Sequence, residues 1–279
     1  MKALVFLKNL RQELKADFEK RGLDTHDVDY ILEEVLHIEF FDLIKDRLLT
    51  TDEVNAIMDC VKERRNGKPV TKIFHKAYFY GYEFFVDNNV LSPRSETELL
   101  VYEAVQFVKS HDKVRILDLC TGSGAIACAV YKKALEMGKQ NDIKIVATDI
   151  SKDALAVAKR NATALGCSIA FVESDMFANI EGNFDLILSN PPYIETAVCD
   201  TLDREVKDYD PMLALDGGAD GLDFYRIIKN NLNRLNVGGM CIMEIGYNQG
   251  ASVSKLFEDF SPEVFKDYSK NDRIVVLKK

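Results

Sequence analysis

The chain has no cluster of Lys and Arg of the kind that neutralises a phosphate backbone, and its 45 acidic side chains outnumber the 36 basic ones for a net charge of −9. That balance disfavours a dedicated duplex-DNA binder, which carries a basic stripe or patch. Cysteine is sparse and unpaired in sequence. Cys60, Cys120, Cys128, Cys167, Cys199 and Cys241 form no C-x-x-C and have no histidine at ligand spacing. The pattern reads as reduced thiols in a reducing compartment, with neither a disulfide framework nor a structural metal. No run of about 18 apolar residues occurs, and the apolar patch in MKALVFLKNLRQELK is broken by Lys8, Arg11, Glu13 and Lys15. Neither a membrane span nor a secretory leader is expected, and the expected location is the cytoplasm. What is present is ample apolar material, 47% of 279 residues, enough for two domains or one large α/β domain.

The chain divides near residue 75. Before it, apolar residues recur at helical spacing: Ala3, Leu7, Leu10, Leu14 and Phe18, then Val28, Ile31, Leu32, Val35 and Leu36, then Val54, Ile57, Met58 and Val61. Gly22 reads as a C-cap, and Thr50 with Glu53 as a capping box. Residues 1–75 are therefore expected to form a small all-helical domain. Its lone histidines, His26 and His37, carry no assigned role. Residues 76–92, KAYFYGYEFFVDNNVLS, are rich in Tyr, Phe and Val around turn signals, which predicts a β-hairpin linking the domains.

From about 95 onward helical and strand patterns alternate. Strands are expected at 114–119, 144–148, 168–172, 184–189, 240–245 and 273–278, and helices at 97–110, 124–137, 152–165, near 221–235 and near 250–259. Strands written as continuous apolar runs are buried on both faces, so residues 93–279 predict a mostly parallel sheet covered by helices. Such sheets bind ligands at the carboxyl ends of their strands.

Four successive strand ends carry unusual residues. The first opens into Asp118-Leu119-Cys120-Thr121-Gly122-Ser123-Gly124, a glycine turn feeding a helix whose first N–H groups are expected to be free for a ligand. Gly122, Gly124 and Ala127 also fit the G-x-G-x-x-A form of dinucleotide-binding proteins, and close helix-to-strand packing would need glycines too. The second strand ends in Asp149, placed to accept hydrogen bonds from a ribose diol or, alternatively, to cap the next helix, a task Ser151 could also perform. After the third come Asp175, which could accept from an adenine amino group, and the apolar pair Met176 and Phe177, which could cover the ring. The fourth ends abruptly in Asn190-Pro191-Pro192-Tyr193. Two consecutive prolines forbid helix and central strand and hold the chain in one stiff extended turn.

A glycine turn, an acidic second-strand end, an Asp after the third strand and Asn-Pro-Pro-Tyr after the fourth resemble the S-adenosylmethionine-dependent methyltransferases that modify planar nitrogens. The stretch VLSPRSETELLV (90–101), the DLCTGSGAIA turn, NPPYI, EVKDYDPMLALDGGADGLDFYRII (205–228) and MEIGYNQG (243–250) are together similar to the release-factor glutamine methyltransferases, the HemK or PrmC family. The likeness covers almost the whole chain. It implies a Rossmann-like class I methyltransferase with a mostly parallel seven-stranded sheet, plus a helical N-terminal domain that recognises a peptide chain release factor. The implied reaction is methyl transfer from S-adenosyl-L-methionine to the glutamine of that factor's Gly-Gly-Gln loop. The implied cofactor set is Cys120, Thr121, Gly122, Ser123, Gly124, Asp149, Asp175, Met176 and Asn190, and the implied catalytic set is Asn190, Pro191, Pro192 and Tyr193. The runner-up, an adenine N6-methyltransferase of DNA or RNA, shares the Asn-Pro-Pro-Tyr logic but must extrude a base and hold a charged backbone. A nucleotide-binding dehydrogenase fits the glycine turn and has no use for that tetrapeptide.

The resemblance gives Asn190 a chemical task. A carboxamide nitrogen is a poor nucleophile because its lone pair is delocalised. The Asn190 side-chain carbonyl and the Pro191 backbone carbonyl, each accepting one N–H, would turn the lone pair toward the methyl carbon, while Tyr193 lies flat on the amide. No general base is required, consistent with the absence of a nearby histidine. Cys120 stands where the family usually has glycine, and is expected in a backbone conformation that is not left-handed. Ser92 and Ser95 stand where Ile and Pro are common, and Met176 where an aromatic is frequent.

Overall fold

The computed structural model describes residues 2–38 and 47–279; Met1 and residues 39–46 lie outside the described residues. The chain forms two compact units, one of Met1–Lys76 with Asp203–Tyr209 and one of Ala77–Leu202 with Asp210–Lys279.

The first unit is helical, with α1 Ala3–Arg21, α2 Asp27–Leu36 and α3 Thr51–Arg65. The spaced apolar residues are its core: Leu7, Leu10, Leu14 and Phe18 meet Val28, Ile31, Leu32, Ile57 and Val61, all buried. Val35 and Val54 are partly buried against it, and Met58 is 40% exposed. Gly22 ends α1 in the left-handed region at φ 71°. Thr50 Oγ1 accepts from the Glu53 N–H at 3.2 Å and Glu53 Oε2 accepts from the Thr50 N–H at 2.8 Å, the reciprocal pair of a capping box. Residues 203–209, distant in sequence, belong to this unit because the buried Arg64 ties Asp27 (2.6 Å) to Glu205.

The second unit begins with the hairpin strands β1 Lys76–Phe79 and β2 Tyr82–Phe85. These are more than a linker, since Phe79 and Phe84 are buried in one core with Leu100, Val101, Phe107, Ile116 and Ile126. The remaining elements are α4 Glu98–Ser110, β3 Val114–Leu119, α5 Ala125–Glu136, β4 Ile143–Asp149, α6 Lys152–Leu165, β5 Ile169–Glu173, β6 Phe184–Ser189, α7 Asp223–Asn230, β7 Leu235–Glu244, α8 Gly250–Leu256, β8 Glu263–Lys266 and β9 Asp272–Lys278. The seven strands order as β5-β4-β3-β6-β7-β9-β8, and only β9 runs against its neighbours. The chain steps outward from β3 to β5 and then returns to the other side of β3 as β6. That reversal opens a crevice at the carboxyl ends of β3 and β6.

Register aligns the edge. Leu119 pairs with Thr148 on one side and Ser189 on the other, and Asp149 pairs with Glu173. The residues that follow these positions, Cys120, Ile150, Ser174 and Asn190, therefore emerge together. Buried Asn161 on α6 holds the rim: its Nδ2 donates to the carbonyls of Phe85 and Ser123, both at 2.9 Å, and its Oδ1 accepts from the Phe85 N–H at 2.8 Å.

Candidate active site

A cleft of about 1170 Å³, its open mouth included, runs along this edge. Cys120, Thr121, Gly122, Ser123, Asp149, Asp175, Met176, Asn190 and Pro192 line it. Gly124, Phe177, Pro191 and Tyr193 do not. Gly124 serves packing instead: at φ 78° it opens α5, and a Cβ there would stand 3.1 Å from that of Ala158. Phe177 is buried in the core beneath β3 and β6.

The glycine turn differs from its expected form in two respects. Its N–H groups are mostly engaged: Thr121 N–H donates to Thr148 O at 2.8 Å, Gly122 N–H to Asp149 Oδ2 at 2.9 Å and Gly124 N–H to Thr121 O at 2.8 Å. A diphosphate would find few free donors, so the turn contributes shape more than an anion nest. Cys120, expected outside the left-handed region, lies inside it at φ 57°. The strand must turn sharply there for Thr121 to reach β4, and a β-carbon in that conformation costs roughly 1–2 kcal/mol. Met176, also left-handed at φ 46°, meets it with the two sulfurs 3.6 Å apart.

Two acids shape the turn. Asp118 is fully buried; Thr121 Oγ1 donates to its Oδ2 at 2.6 Å and the Ala127 N–H also reaches it, so it caps α5 from below. Its Oδ1 has no hydrogen-bond partner among the described residues, and burial pushes the carboxyl up to about 7. Asp149 accepts the N–H of Gly122 and that of Ser151, both at 2.9 Å. The cap of α6 is Ser151, whose Oγ accepts from the Ala154 N–H at 3.1 Å, which leaves the remaining lone pairs of Asp149 available at the cleft wall. Burial raises the Asp149 carboxyl above its usual range despite these N–H groups.

Asn190 follows β6, and its Nδ2 donates to Thr97 Oγ1 at 3.3 Å. Its Oδ1 takes no hydrogen bond from any described residue. Tyr193 is held back from the cleft, with its hydroxyl 3.4 Å from Glu244 Oε1 and its carbonyl accepting from Gln249 Nε2 at 2.9 Å. The tetrapeptide continues into a short pairing, Ile194 N–H to Leu215 O at 3.0 Å and Gly217 N–H to Ile194 O at 2.7 Å. Glycine is required beside it: a Cβ on Gly217 would lie 2.7 Å from Tyr193 Cα, and one on Gly221 2.3 Å from Tyr193 O. The stiffness of Asn190–Tyr193 is thus supplied by its two prolines and by a backbone clamp from 215–221.

Several cleft residues carried no sequence assignment, among them Phe79, Arg94, Thr97, Leu213 and Phe224. Arg94 reaches Asp210 at 3.3 Å across the mouth. Both lie within stretches whose likeness to a family was visible, but nothing in their own spacing marked them.

The cleft fits a nucleoside-bearing sulfonium. A Cβ on Gly122 would meet nothing within 4 Å, so a side chain there would fill the cradle. The wall offers acidic groups for a diol and an amine, and the cation among its lining residues, Arg94, is paired with Asp210.

Comparison with known proteins agrees with this chemistry. A family model described as "Methyltransferase small domain" matches residues 95–217. The structure is similar in fold to a methyltransferase from Pyrococcus furiosus (TM-score 0.50, 17% identity, 79% of this chain and 96% of that one). It is likewise similar to the hMettl16 catalytic domain in complex with MAT2A 3'UTR hairpin 6 (TM-score 0.54, 15% identity, 79% and 82%). Among sequences, the release factor glutamine methyltransferase of Agrobacterium fabrum is 39% identical over 83% of this chain and 81% of its own. That of Chlorobaculum tepidum is 40% identical over 88% and 87%, and that of Clostridium acetobutylicum 34% identical over 90% of each. Likeness at this level over most of the chain makes it a member of the release factor glutamine methyltransferase family.

Proposed function

We propose that the protein transfers a methyl group from S-adenosyl-L-methionine to the side-chain amide nitrogen of the glutamine in the Gly-Gly-Gln loop of peptide chain release factors. The observation that carries this reading is the state of Asn190: its N–H side is already held by Thr97 while its Oδ1 is left to accept. An acceptor fixed at the end of β6 matches a substrate whose reacting atom is an N–H₂ group.

Bound in the cleft, S-adenosylmethionine would supply an electrophilic methyl on a sulfonium, with a neutral thioether as the leaving group. Asp149 would hold the ribose hydroxyls, Asp175 the adenine amino group, and Met176 one face of the ring, with Cys120 to Ser123 as the floor, all of them residues that line the cleft. Asn190 Oδ1 and the Pro191 carbonyl each accept one N–H of the target carboxamide, which fixes its rotation. With that rotation fixed, the nitrogen's lone pair would face the methyl that the cofactor would supply, the new C–N bond would replace the C–S bond, and the surplus proton would pass from nitrogen to solvent. Orientation of this sort is worth up to roughly 7–11 kcal/mol, so no strong base is needed. Tyr193, through its hydroxyl, holds the turn in place from behind. The helical unit, residues 1–75 with 203–209, recognises the body of the release factor, and the chemistry stays in the α/β unit.

The test is direct. Purified protein with radiolabelled S-adenosylmethionine should label a full-length release factor, and changing the glutamine of its Gly-Gly-Gln loop to alanine should abolish the label. A short Gly-Gly-Gln peptide should be a much poorer substrate, because remote binding energy then no longer holds the reacting amide in place. Label in DNA or RNA with the release factor blank would replace this reading by adenine methylation.

A further inference from the structure

Behind Asn190 lies a buried polar chain. Thr97, in the turn before α4, is buried, and its Oγ1 sits 2.6 Å from Glu244 Oε2. Glu244 ends β7 and is also buried, with the Tyr193 hydroxyl at its other oxygen and the Tyr225 hydroxyl donating to its backbone carbonyl at 2.8 Å. Residues from four separate segments thus converge behind one catalytic side chain.

The donor and acceptor inventory gives this chain a direction. An ionised carboxylate only accepts, so Glu244 takes the single hydroxyl proton of Thr97. Thr97 is left with lone pairs alone on the side facing Asn190 and can only accept from it. The amide of Asn190 must therefore present Nδ2 to Thr97 and Oδ1 to the cleft. A neutral amide or a protonated acid at 244 could instead donate to Thr97, whose proton would then turn toward Asn190 and draw Oδ1 away from the substrate.

We propose that Glu244, acting through Thr97, is a positioning residue that sets which face of the Asn190 amide meets the substrate. This rests on the reading of Asn190 as the acceptor of the target N–H. Five side chains surround the carboxylate: Thr97 and Glu96 from the turn before α4, Tyr193 from the proline turn, Tyr225 from α7 and Arg273 from β9. Burial, aided by Glu96 and opposed by Thr97 and Arg273, pushes its acid up to about 7. Turnover should accordingly fall as pH drops below about 7, as the carboxylate gains a proton and loses its acceptor-only character.

The experiment compares Thr97→Val, Thr97→Ser and Glu244→Gln with wild type, using a release factor as substrate and calorimetry for S-adenosylmethionine. Thr97→Val and Glu244→Gln should lower kcat at least tenfold with cofactor Kd within threefold of wild type. Thr97→Ser, which restores the hydroxyl, should recover most of what Thr97→Val loses, and the acid limb near pH 7 should vanish in Glu244→Gln. In protein carrying ¹⁵N-asparagine, the Asn190 side-chain signal, identified by its loss in Asn190→Ser, should shift and exchange faster with solvent in Thr97→Val and Glu244→Gln. Unchanged kcat in both variants, or cofactor affinity lost in proportion to turnover, would overturn the proposal. If wild type leaves release factors unlabelled, the substrate reading fails and the nuclear magnetic resonance arm decides: an Asn190 signal indifferent to both substitutions overturns the relay.

Discussion

Two clusters of buried charge, one in each unit, are built in opposite ways. In the helical unit, the Arg64 side chain, 5% exposed, is matched by two carboxylates, Asp27 and Glu205, which between them hold α2, α3 and the returning segment 203–209. In the α/β unit, the buried acids Asp118 and Glu244 have hydroxyl and N–H partners but, among the described residues, no ion pair, and burial pushes each up to about 7. A matched charge fixes a shape. An acid without a direct ion-pair partner near the end of a strand keeps a local field that something else must satisfy or exploit, and both of these lie beside the cleft.

Removing Arg64 should break the comparison most sharply. Arg64→Met would leave Asp27 and Glu205 facing each other without a cation, and the expected loss is about 3 kcal/mol of stability, read by urea unfolding of the full chain. A loss under about 1 kcal/mol would reduce the clip to an ordinary surface pair. Asn190→Ala should leave the fold intact and lower turnover by about 100-fold, close to 3 kcal/mol in the transition state, with cofactor affinity largely retained. Equal losses of binding and turnover would make Asn190 a cofactor ligand first. Asp149→Ala should weaken S-adenosylmethionine by about 2–3 kcal/mol, the scale of hydrogen bonds to a charged group. Unchanged affinity by calorimetry would remove Asp149 from the site.

The fourth outcome concerns pH. Asp118 holds its proton in the folded chain up to about 7, whereas unfolded it would release it near the ordinary value of 3.8. The native state therefore binds more protons than the unfolded one across that window, and the stability so gained is full at low pH and lost as pH rises through 7. Between pH 5 and 8 the loss from this one group is about 3 kcal/mol. The advantage of Asp118→Asn over wild type should grow by about 3 kcal/mol between pH 5 and pH 8. A substitution effect that does not vary with pH would mean that Asp118 is ionised throughout.

Much of the α/β unit was legible because its strands are uninterrupted apolar runs, and the pattern of 184–189 places that strand at its observed bounds. The capping residues around 151 likewise place the helix 152–165. The strand Glu263–Lys266 escaped because it is an edge strand with mostly exposed side chains, so neither alternation nor a continuous run marks it. Residues 203–209 escaped for another reason: a local pattern says nothing about which unit a loop returns to, and Arg64 decides that through Glu205. Gly124 and Cys120 show the limit within a single turn. Sequence offered glycines for a ligand, but Gly124 is needed against Ala158, and the left-handed turn at 120 falls on a residue with a side chain.

By itself the sequence determined that four consecutive strands would end in Cys120 to Ser123, Asp149, Asp175 and Asn190, because period and apolar run length set where each strand stops. It also determined that the fourth end would be stiff, since two prolines allow little else. Only the tertiary structure decided which way Asn190 faces. Thr97, Asn190 and Glu244 lie 93 and 54 positions apart, and no local rule joins them. Packing of the turn before α4 against the ends of β6 and β7 brings them within hydrogen-bond reach, and burial makes the direction of those bonds matter.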